Sequence, residues 1–225
     1  MSDSETPQSL PIFPLSNVVL FPRVRTPLHL FEPRYRQLAR EALAGERRVV
    51  MAVVRPEHVG EMGGDPPLFP VACCGVIEES QQLPDGRYNL VLHGERRVRI
   101  TGEEPADGER LYRVGRVEGL EDPYPDAERE GVARLRTAIT EDVGVLMRRN
   151  RPDRAHGFDP ELFGGVDDET FVNAVANAFA FEPLEKQGLL EADGVPERYA
   201  RLAGALSFRR AETLAAHGDP GRRIH

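Results

Sequence analysis

Apolar side chains recur at two different periods along this chain, and the change of period divides it. Up to about residue 120 they come in short β-branched or alternating runs, the signature of strands. Leu10-Pro-Ile-Phe-Pro-Leu15 is such a run broken by prolines, which suits an edge strand or strand ends. Val18-Val-Leu-Phe-Pro22 and Thr26-Pro-Leu-His-Leu-Phe31 follow. Glu32-Pro33 then opens a helix, with Tyr35, Leu38, Ala39, Ala42 and Leu43 at helical spacing and Gly45 to end it. Arg48 to Val54 reads as a buried strand. Residues 55–70, with three glycines and four prolines, form the longest loop, and long loops in compact domains are often functional. Strand pattern resumes over Val71 to Glu78. Leu83-Pro-Asp-Gly86 makes a hairpin turn, since Asp-Gly supplies positive φ. Tyr88 to Leu92 and Arg96 to Thr101 form the returning arm, interrupted by a bulge at His93-Gly94. Leu111 to Val117 closes the β part.

From Pro123 the period becomes 3.6. Val132, Leu135, Ile139, Val143 and Leu146 share one helix face, with Asp126 as its N-cap. Asn150 to Gly165 is a turn-rich connector. A second helix starts at Asp167-Asp-Glu and carries Phe171, Val172, Val175 and Phe179. Pro183 to Ala192 is a short third helix. Pro196 opens a fourth, with Tyr199, Leu202, Ala203, Leu206 and Leu214 facing inward. The expectation is an α+β architecture: a β-rich part over 10–120, a helical part over 121–217, a disordered tail at 1–9 and a frayed one at 218–225.

Charge narrows the function classes. The 225 residues carry a net charge of −8, and most of the excess lies beyond residue 118. Nucleic-acid affinity rests on Lys and Arg neutralising phosphates, so a general nucleic-acid binder is disfavoured. No apolar run approaches the roughly 18 residues of a membrane helix. Residues 1–9 are polar, with no signal-peptide pattern, so the expected compartment is the cytoplasm.

Chemistry is sparse. There is no GxxxxGK[ST] phosphate loop, no GxGxxG and no GxSxG. The only lysine, Lys186, falls on a helix surface and gives no Ser–Lys dyad. The six histidines are scattered, and the only cysteines, Cys73 and Cys74, are adjacent, so no metal-ligand spacing exists and no cofactor is expected. His58, beside Glu57 and Glu61, reads as a surface histidine. Arg96, Arg97 and Arg99 would make a basic face if free, but Glu103, Glu104 and Glu118 stand ready to pair with them.

Three motifs in order carry a family resemblance. Leu10-Pro-Ile-Phe-Pro-Leu-Ser-Asn-Val-Val-Leu-Phe-Pro22, followed by Pro27-Leu-His-Leu-Phe-Glu-Pro-Arg-Tyr35, resembles the opening of the N-terminal domain of Lon proteases. Leu83 to Ile100 is similar to that family's hairpin, and Leu184-Glu-Lys-Gln-Gly-Leu-Leu-Glu191 with Val195-Pro-Glu-Arg198 to its helical motif. The resemblance spans about residues 9–215. Ala72-Cys73 stand where the family commonly has Gly-Thr. Arg23 stands where it has a glycine, so the tight turn there is expected to differ.

The resemblance implies a twisted β pseudo-barrel with one helix, PUA-like, followed by a helical bundle. It further implies a standalone substrate-binding domain without the ATPase and Ser–Lys protease modules of a full Lon protease, hence no enzyme. Such a domain recognises unfolded or damaged polypeptides, or acts as an adaptor for a protease or ATPase in trans. The expected state is a monomer. Recognition of unfolded chains calls for exposed apolar surface. The candidates are Phe21 and Pro22 in one turn and Met62, Leu68 and Phe69 in the long loop, Met being suited to promiscuous contact. Phe21, Phe31 and Phe69 also fit ordinary core packing. The alternative is a small-molecule or RNA binder on the same scaffold, using the Arg96, Arg97 and Arg99 face.

Overall fold

In a computed structural model of the protein, residues 8–105, 107–150 and 165–217 are described. The tails expected at 1–9 and 218–225 and most of the expected connector lie outside these residues, but Gln8 and Ser9 already belong to a strand. The chain divides into two units, one of residues up to 122 with 173–191, the other of 123–172 with 192 onward.

Six strands and two helices build most of the first unit: β1 (Gln8–Leu15), β2 (Arg25–Leu30), α1 (Pro33–Ala44), β3 (Arg48–Val53), β4 (Val71–Gln82), β5 (Tyr88–Glu103), β6 (Arg113–Gly119) and, later in the chain, α4 (Pro183–Leu190). The strand order is β2-β5-β4-β3-β1-β6, and β6 also pairs with β5, which closes five strands into a ring. Among the described strands only β1 and β3 run parallel. The 16-residue β5 makes closure possible by serving two neighbours on one side, β2 along its first half and β6 along its second. Register shifts leave Glu95 extra on β5 and Glu78 extra on β4, bulges that bend and twist the strands. The bulge expected at His93-Gly94 thus falls one residue later, inside a continuous strand.

The core follows the period of two. Leu10, Ile12, Val50, Ala52, Ala72, Cys74, Val98 and Val117 form one buried cluster inside the ring. Phe13, one residue on from Ile12 and so of opposite parity, meets Tyr35 of α1 edge-on at 4.5 Å. Contrary to the edge expectation, β1 is paired on both sides. Its prolines are tolerated because β3 pairs only from Ile12 onward and β6 only as far as Ile12, so Pro11 and Pro14 each have one unpaired side.

Val18 to Pro22 is a buried irregular segment and not a strand. The turn after it keeps the conformation a glycine would adopt: Arg23 has φ 63°, its N–H donates to the Gly94 carbonyl (2.8 Å), and Gly94 N–H donates to Val24 O (2.9 Å). The two bonds to Gly94 hold an arginine in the left-handed region, which glycine adopts without strain. That region disfavours L-residues by roughly 1–2 kcal/mol, part of which glycine gives back as backbone entropy. Arg23→Gly is therefore expected to raise stability by up to about 1 kcal/mol, measured by urea unfolding; a loss would contradict a strained turn.

The helical part is not one continuous segment. Residues 173–191 belong to the first unit, for definable reasons. Asn173 Nδ2 donates to Pro22 O (3.1 Å), Gln187 Nε2 to Val71 O (2.9 Å), and Arg97 Nη1 to Leu190 O (3.1 Å). A reciprocal capping box between Glu182 and Glu185 starts α4.

The second unit contains α2 (Arg129–Asn150), the start of α3 (Asp168–Ala178) and α5 (Val195–His217). Val132, Ile139, Val143 and Leu146 of α2 and Tyr199, Leu202 and Leu206 of α5 are buried. Leu214, expected inward, is exposed; at 100° per residue it stands about 80° round the helix from Leu206. Asp126 does not cap α2 but opens a short 3-10 turn and pairs with Arg129 (2.7 Å). Asp167 caps α3, accepting from the Thr170 N–H at 2.8 Å.

Asp168 ties this unit together. Its carboxylate accepts from the Tyr124 hydroxyl (2.6 Å) and Arg136 (2.7 Å), and the Arg136 guanidinium lies 4.4 Å from the Phe171 ring centre. Burial pushes the Asp168 carboxyl up, but the hydrogen bonds from Tyr124 and Arg136 outweigh it and hold it below the usual carboxylate range. A lowered folded pKa contributes stability above the unfolded value near 3.9 and loses it as pH falls through the folded value. The stability gap between the wild type and Asp168→Asn should hold from neutral pH to about pH 4 and close below it. A gap that persists in strong acid would contradict this.

Candidate functional site

An apolar side chain is turned to the surface in the first unit where β2 runs out into α1. Leu30 is buried, so the alternation of the strand turns the next residue outward: Phe31 is 60% exposed. Its ring stacks on His29 with centroids 6.3 Å apart. His29 Nδ1 lies 2.7 Å from Asn89 Oδ1, and its Nε2 lies 3.3 Å from an Arg87 guanidinium nitrogen, so the ring is held by hydrogen bonds at both nitrogens.

The long loop lies beside this turn. It leaves β3, makes a 3-10 turn over Pro56–Glu61, and returns through a bridge between Val54 and Leu68. Arg34 fastens it: one guanidinium nitrogen donates to the Met62 carbonyl (2.6 Å), another to Glu32 (3.0 Å). Arg113 donates to Pro66 O at 2.7 Å. Met62 is half-buried, and Val59 is 40% exposed. Phe69 is half-buried under the Arg55 guanidinium, 5.1 Å from its ring centre. Leu68, also half-buried, packs against the interior cluster.

The structure therefore sorts the sequence candidates. Phe21 is fully buried and Pro22 is buried, against the Gly94 backbone, so neither offers a side chain to a partner. Met62 is brought to the Phe31–Arg34 turn, while Leu68 and Phe69 stand at the foot of the loop. Phe31 and Val59 were missed. For Phe31 the signal existed, in the strand parity that follows from a buried Leu30.

Other candidate chemistry resolves into structure. Arg97 is 3% exposed and bonds Asp122 (2.9 Å), Leu190 O and the Glu121 carbonyl (2.7 Å), not the glutamates expected as partners. Glu103 and Glu104 pair instead with Arg113 and Arg110. A basic face that needs Arg97 is thus unavailable. Lys186 is half-buried, not on the surface: its Nζ donates to Asn177 O at 2.7 Å, and burial lowers its pKa. Cys73 and Cys74 are buried and not joined in a disulfide, and burial pushes Cys74 up to about 11, which suppresses the reactive thiolate. His58 pairs with Glu61 at 3.0 Å. Among the described residues no group of three or more His, Cys, Asp or Glu could hold a metal, and no helix is long and apolar enough to cross a membrane.

Comparison with known proteins agrees with the fold. Residues 9–207 match the family model of the ATP-dependent protease La (LON) substrate-binding domain. Relatives include a Lon protease of Parabacteroides distasonis, 32% identical over 208 residues, and Lon protease 2 of Herpetosiphon aurantiacus, 30% identical over 209. The matches cover 88% and 90% of this chain, which spans 24% of the length of each relative. Among solved structures, the N-terminal domain of a Mycobacterium avium complex Lon protease aligns with a TM-score of 0.63 at 17% identity. That alignment covers 89% of this chain and 98% of the other. A Lon N-terminal domain protein from Xanthomonas campestris aligns at 0.57 with 21% identity, over 93% and 98%.

Proposed function

This chain belongs to the family of LON substrate-binding domains, and from that premise we propose that it is a non-catalytic module that binds unfolded or damaged polypeptides in cytoplasmic protein quality control. The observation that carries the reading is the exposure of Phe31 and Val59, with the half-buried Met62 tied by Arg34 to the turn that bears Phe31, on a domain of this family. Unfolded segments expose apolar side chains, and a patch rimmed by polar groups recognises them with little sequence demand. Met62 and Phe31 supply adaptable contact, while Arg34 fixes the two segments that bear them. Delivery to a protease or ATPase in trans is the use that fits such a module. The burial of Arg97 weighs against the RNA-binding alternative, which needed that guanidinium free.

The test is fluorescence anisotropy of a labelled, permanently unfolded protein titrated with the chain, beside the same protein folded, at two salt concentrations. Binding to the unfolded form, with Kd on the order of micromolar and little salt dependence, is expected. Equal binding to the folded form, or none to either, would overturn the reading. A steep loss of affinity with salt would favour a nucleic-acid type of surface.

A further inference from the structure

The closed ring consists of β5, β4, β3, β1 and β6. Among the described strands β2 stands outside it, paired with β5 alone. Its ladder can be phased. Gly94 N–H donates to Val24 O, and in an antiparallel pair the hydrogen-bonded positions alternate. Thr26, Leu28 and Leu30 therefore turn their backbone groups to Leu92, Leu90 and Tyr88. Arg25, Pro27 and His29 turn theirs away, to a side where no described strand lies. Pro27 lacks its N–H where no ladder bond to β5 is lost. The free edge thus offers the N–H of Arg25 and His29 and the carbonyls of all three. Those three residues are exposed. Beside them a shallow groove of about 410 Å³ runs over the outer face of β2, β5 and β4, lined by Pro27, His29, Glu79, Gln81, Asn89 and Val91 among others. Phe31 stands at the end of the same row.

We infer that an extended segment of the bound polypeptide adds to β2 as a further strand, its backbone on this edge and its alternate side chains beside Pro27 and Phe31. The inference rests on the polypeptide-binding reading and names its mode. Strand addition draws affinity from main-chain bonds, which every unfolded sequence can make, and from pockets for alternate side chains. The edge itself selects the occupant. A second copy pairing β2 with β2 about Pro27 would set two prolines face to face, and neither Pro27 carbonyl would receive a donor. A chain with any other residue there donates its N–H to the Pro27 carbonyl.

The test is residue-resolved amide hydrogen exchange on the full chain, alone and saturated with a permanently unfolded protein, alongside titrations of His29→Pro and Pro27→Ala. Protection of the Arg25 and His29 amides should rise at least tenfold on binding, while the Leu28 and Leu30 amides, already in the ladder, stay unchanged. His29→Pro removes the outward donor and keeps the β5 ladder, but it also removes the ring that Phe31 stacks on, so His29→Ala is its control; His29→Pro should bind about tenfold more weakly than His29→Ala, and Pro27→Ala, which restores a donor, should bind as well as the wild type or better. Binding with the Arg25 and His29 amides still unprotected would overturn strand addition and leave the polypeptide reading intact. No binding at all would remove that reading itself. Concentration-dependent protection of these amides without polypeptide would assign the edge to a second copy and overturn the inference.

Discussion

Arg97→Met is expected to lower stability by about 3–5 kcal/mol, the cost of breaking a buried ion pair from one side. The guanidinium reaches three acceptors at once: the Asp122 carboxylate, the Glu121 carbonyl and the Leu190 carbonyl at the end of α4. Methionine fills the space of the stem but leaves a carboxylate, only 15% exposed, without this cation and two carbonyls without this donor. Lysine keeps the charge but is a point donor that cannot span the three positions of a planar fork, so Arg97→Lys should recover less than half of the loss. Urea unfolding measures both variants. The pair Arg97→Met and Asp122→Asn, measured singly and together, gives the coupling. A loss below about 1 kcal/mol for Arg97→Met would place the cluster in the class of solvated surface pairs.

A loss of about 3 kcal/mol is expected for Gly94→Ala, through overlap and not through a lost contact. A Cβ on Gly94 would lie 2.8 Å from the Phe21 carbonyl carbon and 3.2 Å from the Pro22 Cα, and closer still to the Phe21 carbonyl oxygen. All three atoms are backbone, so no side chain can swing aside. The turn that must move is bonded to Gly94 on both sides and carries the fully buried Phe21. Gly60→Ala is the matched control, because nothing lies within 4 Å of a Cβ there. Comparable melting curves for the two variants would contradict the close approach at Gly94.

Much of this fold could be read from the pattern of residues, and its failures share a cause. A β-branched apolar run located β3, alternation located β6, and Asp85-Gly86 marked the hairpin, where Gly86 has φ 84° and its N–H donates to Leu83 O at 2.8 Å. Local chemistry decided those features. What was misread depends on partners distant in sequence. Two prolines marked β1 as an edge, yet it lies between β3 and β6 because their pairings begin and end at Ile12. Arg97 resembled a solvent-facing strand residue, since its acceptors lie 24, 25 and 93 residues further on. The apolar run Val18 to Phe21 has the composition of a strand and becomes a buried segment because Gly94 and Asn173 bind its end. At the candidate site the residue types were legible and their exposure was not. Phe21 and Phe31 have the same chemistry, and only the packing around them puts one inside and the other outside.

The measurement that bears most directly on function is the anisotropy titration of a permanently unfolded protein, run side by side with the wild-type chain and the double variant Phe31→Ser, Met62→Ser. Phe31 is exposed and Met62 half-buried, so the variant should lose no more than about 1–2 kcal/mol of stability and stay folded, which urea unfolding checks. Losing partial burial of two large apolar groups should weaken binding about tenfold, equivalent to roughly 1.4 kcal/mol. Equal affinity of the two proteins, with both folded, would contradict recognition through this surface.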